Sequence, residues 1–221
     1  MSKITSVEPQ KKSANRRARR FNVFLDGVFA FGADEDLVVD QRLVVGKAFT
    51  TSDVEHLLFE SEVGKLMERM YRLFNIRQRS EQEVRRYLKN LSFKRKVKGE
   101  EEISDVAVEL LIKKLKQKRL LSDKEFAKIW VEARGKKYGI NRIKQELYKK
   151  GIDREIIEEV IGGQRMENSE QVAQKLIDKK LKRWENLKPL EFKKKAFDFL
   201  LRRGFEYEVV KEVVENILRK R

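Results

Sequence analysis

The sequence has no cysteine, one histidine and two prolines in 221 residues. Without cysteine there is no disulfide framework, no thiolate metal ligand and no cysteine nucleophile. One histidine, His56, does not make a histidine-built metal centre, and within "SDVEHLLFE" it reads as an ordinary helix residue. No apolar run approaches the roughly 18 residues that a bilayer-spanning helix needs, and the amino terminus lacks the apolar centre of a signal peptide. A soluble, cytoplasmic chain without a membrane partner is expected. Also missing are the phosphate loop G-x-x-x-x-G-K-[ST] and the H-E-x-x-H pair; Gly162-Gly163 lies between helical stretches rather than after a strand. Carboxylates are plentiful but fall among basic residues at helix-surface spacing. No catalytic residue, metal ligand or cofactor site emerges, and the chain is not expected to be an enzyme.

Charge is what the sequence has in excess. Asp, Glu, Lys and Arg make up 40% of it and the formal net charge is +16, which points to a polyanionic partner. The excess is unevenly placed: residues 1–20 carry +6, residues 21–62 carry −7, and residues 63–221 carry +17. The acidic stretch differs in period as well as in sign. "FNVFLDGVFAF" sets Asp26-Gly27 between two short runs of Phe and Val, the strongest short-range signal for a hairpin, because a primed two-residue turn needs positive φ at both central positions. "LVVDQRLVVGKAFT" adds a further apolar run and a glycine turn. Before the hairpin, "QKKSANRRARR" is basic and without period, as suits either an irregular tail or an arm on phosphate.

From about residue 52 the period is helical. Phe126, Ile129, Trp130 and Ala133 recur at spacings of three and four, as do Phe192, Ala196, Phe199 and Leu200. Ser52 with Glu55, Ser80 with Glu83 and Ser122 with Glu125 fit the capping box, and Pro189 suits a first helical turn. Two segments repeat: "LYKKGIDREIIEEVI" at 147–161 and "LLRRGFEYEVVKEVV" at 200–214. In each, a helix ends in two cations and a glycine fit for positive φ, then an apolar residue, an acid and another helix follow. Each copy is therefore the joint between the second and third helices of a unit. Read outward, the helices fall at 122–136, 139–150 and 153–161, and at 168–186, 189–203 and 206–220; a looser set occupies 52–74, 80–91 and 101–118. The expected fold is mainly α: an elongated tandem array of three three-helix units, helix-turn-helix-like, with a small N-terminal β-hairpin module. Its expected divisions are a basic tail at 1–20, the hairpin module at 21–50, and units at 51–119, 120–163 and 164–221.

"RQRSEQEVRRYL", "LLSDKEFAKIWVEAR", "KYGINRIKQELYKKGID" and the following "IIEEVI" occur in the order of the signature of the RecX regulators of the bacterial recombinase RecA, which the chain resembles over roughly residues 60–220. The Asp26-Gly27 hairpin and "FGADED" resemble the amino-terminal extension of some members. One departure stands out, since the first unit has "SFKRKVKGEEE" where the others have the K-K-G-I joint. The resemblance implies a monomer that lies in the groove of the RecA–DNA filament and limits ATP hydrolysis, strand exchange and repressor cleavage, within recombinational DNA repair and the SOS response.

Candidate binding residues follow from cation density. Arg77, Arg79, Arg85, Arg86, Lys94, Arg95, Lys96 and Lys98 form the densest basic stretch, and Arg134, Lys136, Lys137, Arg142 and Lys144 surround the helix junction of the middle unit. Either stretch suits an acidic filament surface or the phosphates of single- or double-stranded DNA. The opposing reading is a set of solvated helix faces, since exposed charges on helices usually do no more than that. The rival function is a direct DNA-binding protein with helix-turn-helix-like units and no recombinase partner.

Overall fold

The computed structural model describes residues 1–10, 20–163 and 169–220; residues 11–19, most of the stretch "QKKSANRRARR", lie outside the described part. The chain forms two compact units, one of residues 1–78 with 85–121 and one of residues 79–84 with 122–221. The fold is mainly α with a small N-terminal antiparallel sheet.

In the first unit, β1 (Ser2–Pro9), β2 (Arg20–Leu25), β3 (Val28–Asp34) and β4 (Ala48–Phe49) form one sheet in the order β3-β2-β1-β4. The β2–β3 turn takes φ 49° at Asp26 and 82° at Gly27, the geometry the sequence calls for. The Asp26 carboxylate accepts the Lys3 N–H at 3.0 Å, which ties that turn to β1. Within the 1–20 division expected as a basic tail, Ser2–Pro9 is a strand that pairs antiparallel with both β2 and β4. Only Ile4 of this strand is fully buried, so no apolar alternation announces it; its neighbours' unpaired backbone groups recruit it. Residues 21–50 also hold more than a hairpin. "EDLVVD" forms the short helix α1 (Glu35–Asp40), whose first turn is capped by the Asp34 carboxylate accepting the Leu37 N–H at 2.8 Å.

The sheet buries Val23, Leu25, Phe31 and Ala33 against Leu37 of α1 and Leu57 of α2 (Thr51–Ile76). Each of the Val, Leu and Phe side chains among these contributes roughly 1.5–3 kcal/mol on burial. Helix α2 starts two residues before the expected box: Thr50 Oγ1 accepts the Asp53 N–H and the Asp53 carboxylate accepts the Thr50 N–H at 2.8 Å. Both Thr50/Asp53 and Ser52/Glu55 satisfy the spacing rule, and the earlier pair wins. Helices α3 (Glu81–Val97) and α4 (Asp105–Gln117) follow. At the end of α4, Arg119 takes φ 55°, a left-handed position that costs any residue with a Cβ. Replacing Arg119 with glycine is expected to raise stability by about 0.5–1 kcal/mol, read as a higher denaturation midpoint at unchanged slope.

The second unit contains α5 (Asp123–Gly135), α6 (Ile140–Lys149), α7 (Arg154–Gly163), α8 (Ser169–Leu181), a 3-10 turn at Lys182–Trp184, α9 (Pro189–Leu201) and α10 (Tyr207–Lys220). α5–α7 close over Phe126, Ile143, Leu147 and Ile157; α8–α10 close over Trp184, Phe192, Leu200 and Val214. Both repeated joints are six-residue Schellman turns. At the end of α6 the Gly151 N–H reaches Tyr148 O (2.9 Å) and the Ile152 N–H reaches Leu147 O (3.1 Å), with Gly151 at φ 76°. At the end of α9, Gly204 and Phe205 repeat this onto Leu201 and Leu200, with Gly204 at φ 80°. In each, the apolar residue after the glycine is buried beside the helix it terminates, as Ile152 and Phe205 are 3% exposed.

The glycines serve a second purpose. Helix α6 has no side-chain cap; instead the Gly139 N–H donates to Arg203 O (2.9 Å) and the Asn141 N–H to Gly204 O (3.1 Å). Likewise Ser80, at the start of α3, donates its hydroxyl to Lys150 O at 2.7 Å, while Gln82 rests on the Cα of Gly151. The second helix of one three-helix module thus begins on the glycine that ends the second helix of the next. At Gly204 the orphan amides at the start of α6 meet the orphan carbonyls at the end of α9, and at Gly151 the Ser80 hydroxyl does the same for Lys150.

Candidate partner-binding surface

Helix α3 carries the densest of the two candidate stretches, and its period separates two faces. Val84 and Leu88 are buried; Arg86, Lys89, Phe93, Lys94 and Val97 point to solvent. From Val84 to Lys98 the sequence holds seven cations and no carboxylate. Three of the candidates are engaged within the first unit. Arg85 chelates Glu109, whose carboxyl is held below its ordinary pKa chiefly by that hydrogen bond. Arg95 reaches Glu62 on α2 at 2.6 Å, and Lys96 reaches Glu102 at 2.8 Å. Arg86, Lys94 and Lys98 are exposed and carry no ion pair among the described residues. Of the two candidates preceding α3, Arg77 donates to the Gln78 carbonyl at 2.9 Å, and Arg79 has a buried Nε with no hydrogen-bond partner among the described residues.

The second stretch surrounds the α5–α6 junction and is organised by one anion. Glu146 accepts from Arg134 Nε (2.8 Å) and Nη2 (2.6 Å), from Trp130 Nε1 (3.1 Å) and from Arg142 Nε (3.2 Å). The Arg134 hydrogen bonds lower the Glu146 pKa, opposed by burial and helped by the Trp130 N–H; the same contact raises Arg134. The Arg134 guanidinium also lies 4.1 Å from the Tyr138 ring centre, and Phe126 stacks on Trp130 at 5.6 Å. Lys144 pairs with Glu158 at 2.8 Å. Arg134, Arg142 and Lys144 are therefore spoken for by structure, whereas Lys136 and Lys137 are exposed, with no side-chain ion pair among the described residues.

Charge density alone therefore overstated the free cationic surface. Partners such as Glu62 for Arg95 and Glu109 for Arg85 stand 33 and 24 residues away, beyond any local pattern. It also missed Phe93 and Val97, which are 65% and 71% exposed. Helical period was the signal available: Val84, Leu88 and the half-buried Leu91 make the inward stripe, and Phe93 and Val97 fall on the opposite side of it. Among the described residues no helix is long and apolar enough to cross a membrane.

Comparison with known proteins decides the family. The description "Regulatory protein RecX N-terminal domain" matches residues 2–50, "RecX, second three-helix domain" matches 122–161, and "RecX, third three-helix domain" matches 168–214. A regulatory protein RecX of Bacillus velezensis is 33% identical over 215 residues, covering 96% of this chain and 76% of that one. The chain belongs to the RecX family. The RecX of Bacillus subtilis is 31% identical over 97% of this chain and 76% of its own, and that of Clostridium perfringens 29% over 98% and 97%. A crystal structure of a regulatory protein RecX superposes with a TM-score of 0.75 at 24% identity, covering 97% of this chain and 100% of that one, and so shares the fold. RecX relatives are named regulatory proteins, which makes a regulatory role and a regulated partner the family's common ground. The sheet containing β1 is part of the RecX pattern, since the N-terminal description begins at residue 2.

Proposed function

We propose that this RecX-family chain regulates the RecA recombinase, mostly as an inhibitor. It binds in the groove of the RecA–DNA filament in the cytoplasm and limits ATP hydrolysis, strand exchange and repressor cleavage. The family assignment over nearly the whole chain carries this reading. The carboxylate-free face of α3 supports it: exposed cations speed encounter with an acidic surface and are weakened by salt. The test is DNA-stimulated ATP hydrolysis by RecA against a titration of this protein, with naked-DNA binding measured in the same buffer. Inhibition at amounts far below those needed to coat the DNA is the expected result. Hydrolysis left untouched while duplex binds at nanomolar concentration would establish the rival, a direct DNA-binding protein, which the same cations suit.

The structure also refines which charges to reverse. Arg95 is unsuitable, because a carboxylate there would face Glu62. Reversing Arg86, Lys94 and Lys98 together is expected to weaken filament binding about tenfold or more, with the melting temperature within about 2 °C. Unchanged affinity would remove α3 from the interface.

A further inference from the structure

The three glycine joints share one backbone design but differ in occupancy. At the end of α3 the Gly99 N–H reaches Lys96 O (3.0 Å) and the Glu100 N–H reaches Arg95 O (3.0 Å), with Gly99 at φ 72°. This is the same Schellman turn as at Gly151 and Gly204, so the segment "KVKGEEE" keeps the joint's geometry. Only the apolar residue after the glycine is lost, replaced by Glu100. The other two joints are covered by the first turn of another helix. A Cβ on Gly151 would lie 2.5 Å from Gln82 Cβ, and one on Gly204 would lie 2.4 Å from Arg142 N. Among the described residues a Cβ on Gly99 would meet nothing within 4 Å.

A second difference coincides with the first. Counting back six and two residues from each glycine gives Gln145 and Lys149 before Gly151, and Asp198 and Arg202 before Gly204. Before Gly99 the same positions hold Phe93 and Val97, both largely exposed. The joint that no described residue covers is the one with apolar side chains beside it.

We propose that the Gly99 joint, with Phe93 and Val97, is a docking point for the start of an α-helix on a protein partner. The occupied joints define what fits. The incoming helix has a small or hydroxyl-bearing cap, as Gly139 and Ser80 do, and hands its first polar hydrogens to the terminal carbonyls. An acidic first turn is favoured, because Glu83 of the docked α3 start pairs with Lys150 of the receiving joint, and Lys98 holds the place of Lys150 here. A second copy of this chain fits poorly. The second-helix start that meets no glycine joint among the described residues is that of α9, where Lys188 replaces the small cap and Pro189 has no N–H to donate. The inference rests on the reading that the regulated partner is the RecA filament.

The test uses the full chain and RecA assembled on single-stranded DNA. Gly99→Asn keeps the left-handed turn, since asparagine tolerates positive φ, yet puts a side chain where a docked helix would lie. Phe93→Ser with Val97→Ser removes the apolar pair without touching the turn. Each is expected to lower filament affinity about tenfold, as for the loss of an interface anchor, while leaving naked single-strand binding and the monomer–dimer balance unchanged. Gly27→Asn, at an open positive-φ glycine in the hairpin, is the matched control and is expected to bind like the wild type. If the wild type binds the filament and both α3 variants bind equally well, the docking point is refuted while the proposed function stands. A parallel loss of naked-strand binding would assign the site to nucleic acid, and loss of a self-associated form would assign it to a second copy; either overturns the inference. Failure of the wild type to bind RecA overturns the proposed function and this inference with it.

Discussion

Gly139→Val is expected to destabilise the second unit by about 3 kcal/mol or more, the upper range for forcing volume into a closed contact. A Cβ at this position would sit 2.3 Å from both Gly204 O and Phe205 N. Those are backbone atoms of a Schellman turn that is itself pinned by Leu200 and Leu201, so nothing flexible is available to move aside. Relief requires α6 and the α9 joint to separate, which also breaks the hydrogen bonds from Gly139 N and Asn141 N, each worth about 1 kcal/mol net. For a unit of about 100 residues this corresponds to a fall in melting temperature of roughly 10 °C or more. Gly162→Ala is the control: its Cβ meets nothing within 4 Å among the described residues and it lies in α7, so it is expected to be neutral or slightly stabilising. Equal melting temperatures for Gly139→Val and the wild type would show that the head-to-tail contact does not hold the modules together.

Glu146→Ala is expected to cost about 2–3 kcal/mol, because it strands the Arg134 guanidinium and the Trp130 N–H in a half-buried site without an acceptor. Glu146→Gln keeps an acceptor and the volume but not the charge, and is expected to cost about half as much. The pair separates charge from packing through pH. The Glu146 pKa is lowered from 4.5, chiefly by the Arg134 hydrogen bonds. A carboxyl depressed on folding binds fewer protons in the native state than in the unfolded one. Its contribution is complete above 4.5 and disappears as pH falls through the lowered native value. The wild type is therefore expected to lose stability on acidification more steeply than Glu146→Gln, with the two curves converging in acid. Parallel curves in a chemical denaturation series from neutral pH downward would show that the charge of Glu146 contributes nothing.

What could be read from the sequence was what is local in the chain. The glycine joints were legible because a Schellman turn is written within six residues, and "KKGI" and "RRGF" spell it twice. The Asp26-Gly27 turn was legible for the same reason, its conformation depending on two residues that accept positive φ. The helical stripe through Phe192, Ala196 and Leu200 needed only its period, and all three are buried. What stayed hidden depended on distant partners. β1 is a strand because β2 and β4 flank it, and with one fully buried side chain it has no pattern of its own. The role of Gly139 depends on Gly204, and the engagement of Arg95 depends on Glu62. In the candidate surface, cation positions were legible and their availability was not, since an ion pair and a free charge have the same local sequence.

The borrowed start of α6 has a consequence for how the protein comes into being. Residues 122–161 are synthesised before Arg203 and Gly204, and the helix beginning at Ile140 has no side-chain cap of its own. Until the later residues leave the ribosome, the amides of Gly139 and Asn141 have only water to bond. A chain interrupted ahead of residue 203 therefore lacks the acceptors of these two amides, and the first turn of α6 is expected to fray.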